Sequence, residues 1–93
     1  MEEIELKNAN VDDWILFEHR TKPEIKWIGM VVKKDEELMF LDCFMGLDKK
    51  ETRNGAEIEL SDWEEGGMPK WRNWKVYRIT EIEAGKLMII SGL

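Results

Sequence analysis

Hydrophobic and polar positions alternate over short stretches of this chain and seldom repeat at the spacing of a helix. Ile4 and Leu6 stand between Glu3, Glu5 and Lys7, the period-two signature of a strand with one wet face. Asn8 to Asp13 turns the chain, and Trp14 to Glu18 follows as a short apolar run that ends in charge. Ile25 to Lys33 is richer still, and its Gly29 suggests a bulge or a close approach of backbone. The charged break Lys33 to Glu37 separates that run from Leu38 to Met45, which is apolar at almost every position, so the two read as a hairpin. Asn54-Gly55 is a strong turn signal ahead of the alternating strand Ala56 to Leu60. Ser61 to Lys70, with two adjacent glycines and a proline, reads as an irregular loop. Trp74 to Ile82 is a strand rich in β-branched and aromatic residues, Glu83 to Lys86 a short turn, and Leu87 to Ile90 a closing strand.

The pattern predicts a mainly β protein, a single domain over residues 1–93 with six or seven short strands, folded as a small antiparallel barrel or sandwich. Side-chain parity refines this. In the Trp74 to Ile82 run, Trp74 and Val76 share one face while Tyr77 and Ile79 share the other, so either the strand is bulged or both of its faces are covered. Strongly bent strands are how a few short strands close into a barrel. The succession of a strand beginning Val-Asp-Asp-Trp, a long central hairpin and a short final pair resembles an SH3-like small barrel in architecture.

Length and composition narrow the class. At 93 residues there is room for one core, which excludes a two-lobed enzyme with an interdomain cleft. A hydrophobic fraction of 43% excludes a disordered chain, and the longest apolar run, Trp27 to Val32, is far shorter than the roughly 20 residues of a membrane span. The acidic start MEEIELK lacks the features of a secretory signal, so the expected location is the cytoplasm. Fourteen Glu, ten Lys and no Gln follow the compositional trend of thermophile proteins.

Candidate chemistry is sparse. The single cysteine, Cys43, reads as a small core hydrophobe within LMFLDCFM. His19 is the only histidine, which excludes a His-rich metal centre, and it reads as a solvated loop residue. Asp12-Asp13 reads as a turn and Glu64-Glu65 as a solvated loop rather than a divalent-ion site. No phosphate-binding loop and no local nucleophile-base pair is present. The expectation is a non-catalytic protein with no cofactor and no metal.

One segment departs from the rest. The net charge of -6 averages unlike parts, because Lys70 to Arg78 holds four cations and no acid while the remaining residues hold all 20 acids. Within it Lys70, Arg72, Lys75 and Arg78 interleave with Trp71, Trp74 and Tyr77. Cations beside flat rings are the working parts of single-strand binding surfaces. The same alternation also arises from one half-buried and one wet strand face, with Glu57, Glu59 or Glu81 as neighbouring partners for the cations. Five tryptophans are a second unusual feature. Trp14 and Trp27 lie in apolar runs and belong to the core, whereas Trp63 and Trp71 flank a Gly-Gly-Met-Pro loop among charged neighbours. A loop carrying Trp63, Met68 and Trp71 has the composition of an interaction surface.

The preferred reading is therefore a small β-barrel interaction module that binds a protein partner or forms a homodimer through Trp63, Met68, Trp71 and the adjacent strand. The alternative is a local single-stranded nucleic-acid or nucleotide site on Lys70, Trp71, Arg72, Trp74, Lys75, Tyr77 and Arg78. A third reading, an acidic decoy for a nucleic-acid-binding protein, ranks last because the basic segment opposes it.

Overall fold

A computed structural model describes residues 1–48, 51–53, 55–60 and 73–92. Among these residues seven strands form one antiparallel sheet: β1 (Glu2–Glu3), β2 (Trp14–His19), β3 (Lys26–Lys34), β4 (Leu38–Gly46), β5 (Glu51–Arg53), β6 (Ala56–Glu59) and β7 (Trp74–Ile79). One α-helix stands among the described residues, α1 (Glu81–Ile90), directly after β7. The sheet runs β1-β7-β2-β3-β4, with β5 and β6 in succession along the free edge of β4. It does not close among the described residues.

The central hairpin β3-β4 is where the alternation placed it. Its turn is held by Asp35, whose Oδ1 accepts the backbone N–H groups of Glu37 and Leu38, both at 2.8 Å. Those donors hold the Asp35 carboxyl below its ordinary range. Two irregularities bend the hairpin. From Ile28 to Met30 the partner strand advances from Met45 to Asp42, which inserts one extra residue into β4, and from Val31 to Lys33 the extra residue lies in β3. Cys43 occupies the first bulge with φ 51°, and it is exposed, contrary to the core position its apolar neighbours suggested. A bulge removes a residue from the alternation, so neighbours no longer report its face. Gly29 is a close approach, since a Cβ there would lie 3.2 Å from the Phe44 ring.

Both faces of the sheet are covered, so the apolar side chains divide into two clusters where the length suggested one core, and this settles the parity of β7. Ile15, Phe17, Val31, Met39, Leu41, Ile58 and Val76 pack on one face with Leu6 and Ala9, and Trp27 and Trp74 pack against their margin. Leu16, Ile28, Met45, Leu47 and Ile79 form a second cluster on the other face, closed by Ala84 of α1 with Leu87, Met88, Tyr77 and Trp14 packed around it. Val76 therefore enters the first core and Ile79 the second. Trp14 and Trp27 are half-buried against the cores, as the apolar runs around them implied.

Two segments differ from the pattern reading. Strand pairing at the N-terminus is confined to Glu2 and Glu3, opposite Arg78 and Tyr77, after which Leu6–Asn8 forms a 3-10 turn. Leu6 and Ala9 then both drop fully into the first core, a three-residue step that strand periodicity does not produce. At the other end β7 stops at Ile79 rather than Ile82, Leu87 to Ile90 is not a strand and Glu83 to Lys86 not a turn; Glu81 to Ile90 all belong to α1. Thr80 is the N-cap: its hydroxyl accepts the Glu83 N–H at 3.1 Å, and Glu83 Oε1 accepts the Thr80 N–H at 2.9 Å. This reciprocal box fixes the start of the helix against the apolar β-forming composition of its last turn. The Thr80 backbone N–H, as the largest influence, holds the Glu83 carboxyl below its ordinary range.

Candidate functional site

Trp63, Met68, Lys70, Trp71 and Arg72 lie outside the described residues, as does the Glu64-Glu65 pair. The other four residues of the basic and aromatic set stand on β7, which divides them between the two faces of the sheet. Trp74 is half-buried at the margin of the first core, where its indole meets the His19 ring edge to face at 5.1 Å and 79°. Tyr77 is half-buried on the opposite face, packed against the second core that α1 closes. Lys75 shares the Tyr77 face and lies opposite Glu18, which has Lys26 on its other side. Among the described residues the acids that meet β7 are thus Glu2 and Glu3 of β1, Asp13 and Glu18, whereas Glu57 and Glu59 lie on β6, beyond β4.

Arg78 is the hub of an N-terminal clasp. Its Nε donates to Asp13 Oδ2 at 2.9 Å, one terminal nitrogen donates to Glu2 Oε1 at 2.7 Å, and the other donates to the Asn8 carbonyl at 2.9 Å. The hydrogen bond to Asp13, reinforced by the charges of Asp13 and Glu2, raises the guanidinium further above its ordinary value. The planar fork is spent on three segments of the chain at once, which a lysine's point charge could not reproduce. Asp13 also closes its own turn by accepting the Asn10 N–H at 2.8 Å, and Asp12 takes a left-handed conformation with φ 75°. The Asp12-Asp13 pair is thereby a turn device, as its spacing implied. An open groove lined by Met1, Glu2, Arg78, Ile79, Thr80 and Glu83 runs over this clasp, and its charged groups pair within the chain.

His19 ends β2 rather than standing in a loop. Its Nδ1 accepts the backbone N–H groups of Thr21 and Lys22 at 3.3 and 3.2 Å, so the ring latches the turn into β3. Among the described residues no group of three or more His, Cys, Asp or Glu side chains is placed to hold a metal ion. No helix among them is long and apolar enough to cross a membrane.

The surface that sequence reading missed lies on α1. The helix turns Ala84, Leu87 and Met88 toward the sheet and Ile82, Ile89 and Ile90 outward, the last three 71%, 77% and 82% exposed. A helix that is apolar on both sides has the composition of one covered on both sides. The signal was present in the sequence: Thr80-x-x-Glu83 is a capping box ahead of an apolar run, and Ile82 and Ile89 stand seven residues apart, the spacing of one helix face. No known protein family matches the chain, and no curated protein and no solved structure matches it either.

Proposed function

We propose that this chain is a non-catalytic interaction module that presents apolar surface to another polypeptide. The carrying observation is the outward face of α1, with three isoleucines each more than two-thirds exposed on one ten-residue helix. Single apolar side chains are ordinary on a protein surface, but three on one short helix, on either side of Gly85 and Lys86, favour a contact surface. The segment from Trp63 to Trp74, read from composition, is the second element of the proposal. The polar groups described above support it from another direction: Asp13, Arg78, Asp35 and His19 all serve turns or the clasp within the chain.

The architecture we propose is an SH3-like barrel. Supporting it, β7 returns to pair with β2, the first long strand, and the meander β2-β3-β4-β6 continues from there with two bulges to bend it.

Photo-crosslinking tests the function. A photoreactive residue is placed at position 89 and, in a separate chain, at position 71, and both are irradiated inside the producing cells. Covalent adducts with polypeptide are expected at both positions. Adducts with nucleic acid, or none at either position, would overturn the proposal and return the basic segment to consideration as a nucleic-acid site.

A further inference from the structure

Gly85 has no explanation within the described chain. It sits in the middle of α1, where glycine is the least favourable residue apart from proline. Its φ is not in the left-handed region, which among the described glycines is reached by Gly92 alone. A Cβ built on it meets nothing within 4 Å among the described residues, so neither backbone conformation nor internal packing requires the missing side chain. The residue lies three after Ile82 and four before Ile89, on the flank of the exposed apolar face. A glycine flanked by large apolar residues at that spacing forms a notch in the helix surface, and a notch serves a neighbour that comes close.

Resting on the proposed interaction role, we infer that the occupant is a second copy of this chain, its α1 packed antiparallel to the first across a two-fold axis between Gly85 and Lys86. The pattern is self-complementary about that point. The axis brings Ile82 of one copy to Ile89 of the other, and the Lys86 stem of each over the Gly85 notch of its mate. Charge agrees, since each ammonium then lies about one turn from the acidic first turn of the opposing helix, where Glu81 is exposed. Ile82 and Ile89, which face the axis, leave roughly 250 Å² of apolar surface in water per copy, while Ile90 falls at the edge of the contact opposite Glu81. With the Lys86 stems that rim it, pairing two copies buries roughly 600–800 Å², below the roughly 1,000 Å² of a stable interface and in the range of a weak, transient one. The dimer is accordingly of modest affinity and depends on concentration.

Sedimentation equilibrium of the full chain tests this, with Gly85→Leu and Ile89→Glu as variants and circular dichroism to verify their fold. The expected result is a mass rising toward two chains for the parent and the mass of one chain for both folded variants. A parent that stays monomeric up to roughly 1 mM, where even weak pairs form, overturns the inference. So does a dimer that both variants retain. Antiparallel geometry is read from disulfide trapping in a Cys43→Ser background: mixed Ile82→Cys and Ile89→Cys chains should cross-link to each other faster than either does to itself, and the reverse preference overturns the two-fold arrangement. A monomeric parent whose position 89 still cross-links to a different polypeptide in cells would sink this inference while leaving the interaction role standing.

Discussion

Gly46 ends β4 opposite Trp27, and the indole lies flat over it. A Cβ at this position would stand 2.7 Å from Trp27 Cζ2, 2.9 Å from Cε2 and 3.0 Å from Cη2. These are ring atoms with no flexible end to move aside, so Gly46→Ala must push the whole indole. The ring stacks on Phe44 with centroids 4.7 Å apart and planes 23° from parallel, and Phe44 in turn meets Phe17 edge to face at 6.1 Å. Overpacking of this kind costs about 1–3 kcal/mol, and loss of an aromatic stack adds about 0.5–1.5 kcal/mol. The sum, about 2–4 kcal/mol, is a large part of the roughly 5–14 kcal/mol a domain of this length commands. At about 4–8 °C per kcal/mol, the melting temperature should fall by on the order of 10–30 °C. Thermal unfolding followed by far-ultraviolet circular dichroism measures the shift, and the near-ultraviolet signal of Trp27 should weaken before melting. Gly29→Ala is the control: its Cβ would meet Phe44 Cδ1 at 3.2 Å and Leu41 Cβ at 3.3 Å, contacts that small adjustments relieve. Gly46→Ala melting with the parent, or Gly29→Ala proving the more damaging of the two, would show that the Trp27 ring yields freely and does not pin this position.

Other outcomes follow from the same contacts. Thr80→Ala removes the N-cap of α1 and should lower stability by about 1 kcal/mol, read from denaturant midpoints. Because Glu83 titrates below its ordinary value of 4.5 when folded, its contribution is present above that value and is lost as pH falls through the lowered one; Glu83→Gln should therefore flatten the acid limb of a stability profile below about pH 4.5 and leave its neutral side the less stable. Arg78→Lys should loosen the N-terminal segment selectively, with faster amide exchange at residues 2–9 and little change in β3-β4; uniform loosening would contradict the clasp. Cys43→Gly relieves a left-handed residue at a bulge and should be neutral or stabilising by up to about 1 kcal/mol, while the parent thiol should react with a disulfide reagent without unfolding.

What the sequence disclosed and what it hid have physical reasons. The hairpin Lys26–Lys34 to Leu38–Gly46, the strands β2, β6 and β7, and the core placement of Trp14 and Trp27 were legible because period-two alternation and turn residues agree there. The doubled parity of β7 was legible too, as a dilemma, and α1 supplies its resolution by covering the second face. The helix itself was misread because Leu87-Met88-Ile89-Ile90 is a run with no polar interruption, in which neither period can be recognised, and because Gly85 imitated a turn. Thr80 and Glu83 held the correct signal, and the capping box outweighs the composition behind it. Cys43 was misplaced because a bulge shifts the alternation by one residue. As for the candidate site, the aromatic and basic residues of β7 were identified by type, but period-two geometry sends Tyr77 and Lys75 away from Trp74 and Arg78. The exposed face of α1 was invisible once its residues had been assigned to a strand.

α1 seals the second face of the sheet and, in the proposed dimer, offers Ile82 and Ile89 to a second copy of this chain. Amide hydrogen exchange of the full chain, measured over a range of protein concentrations, tests it most directly. Protection at Glu81–Ile90 should rise with concentration while that of β2 and β3 stays constant. Exchange in α1 that is independent of concentration, or a rise spread evenly over the sheet, would contradict it.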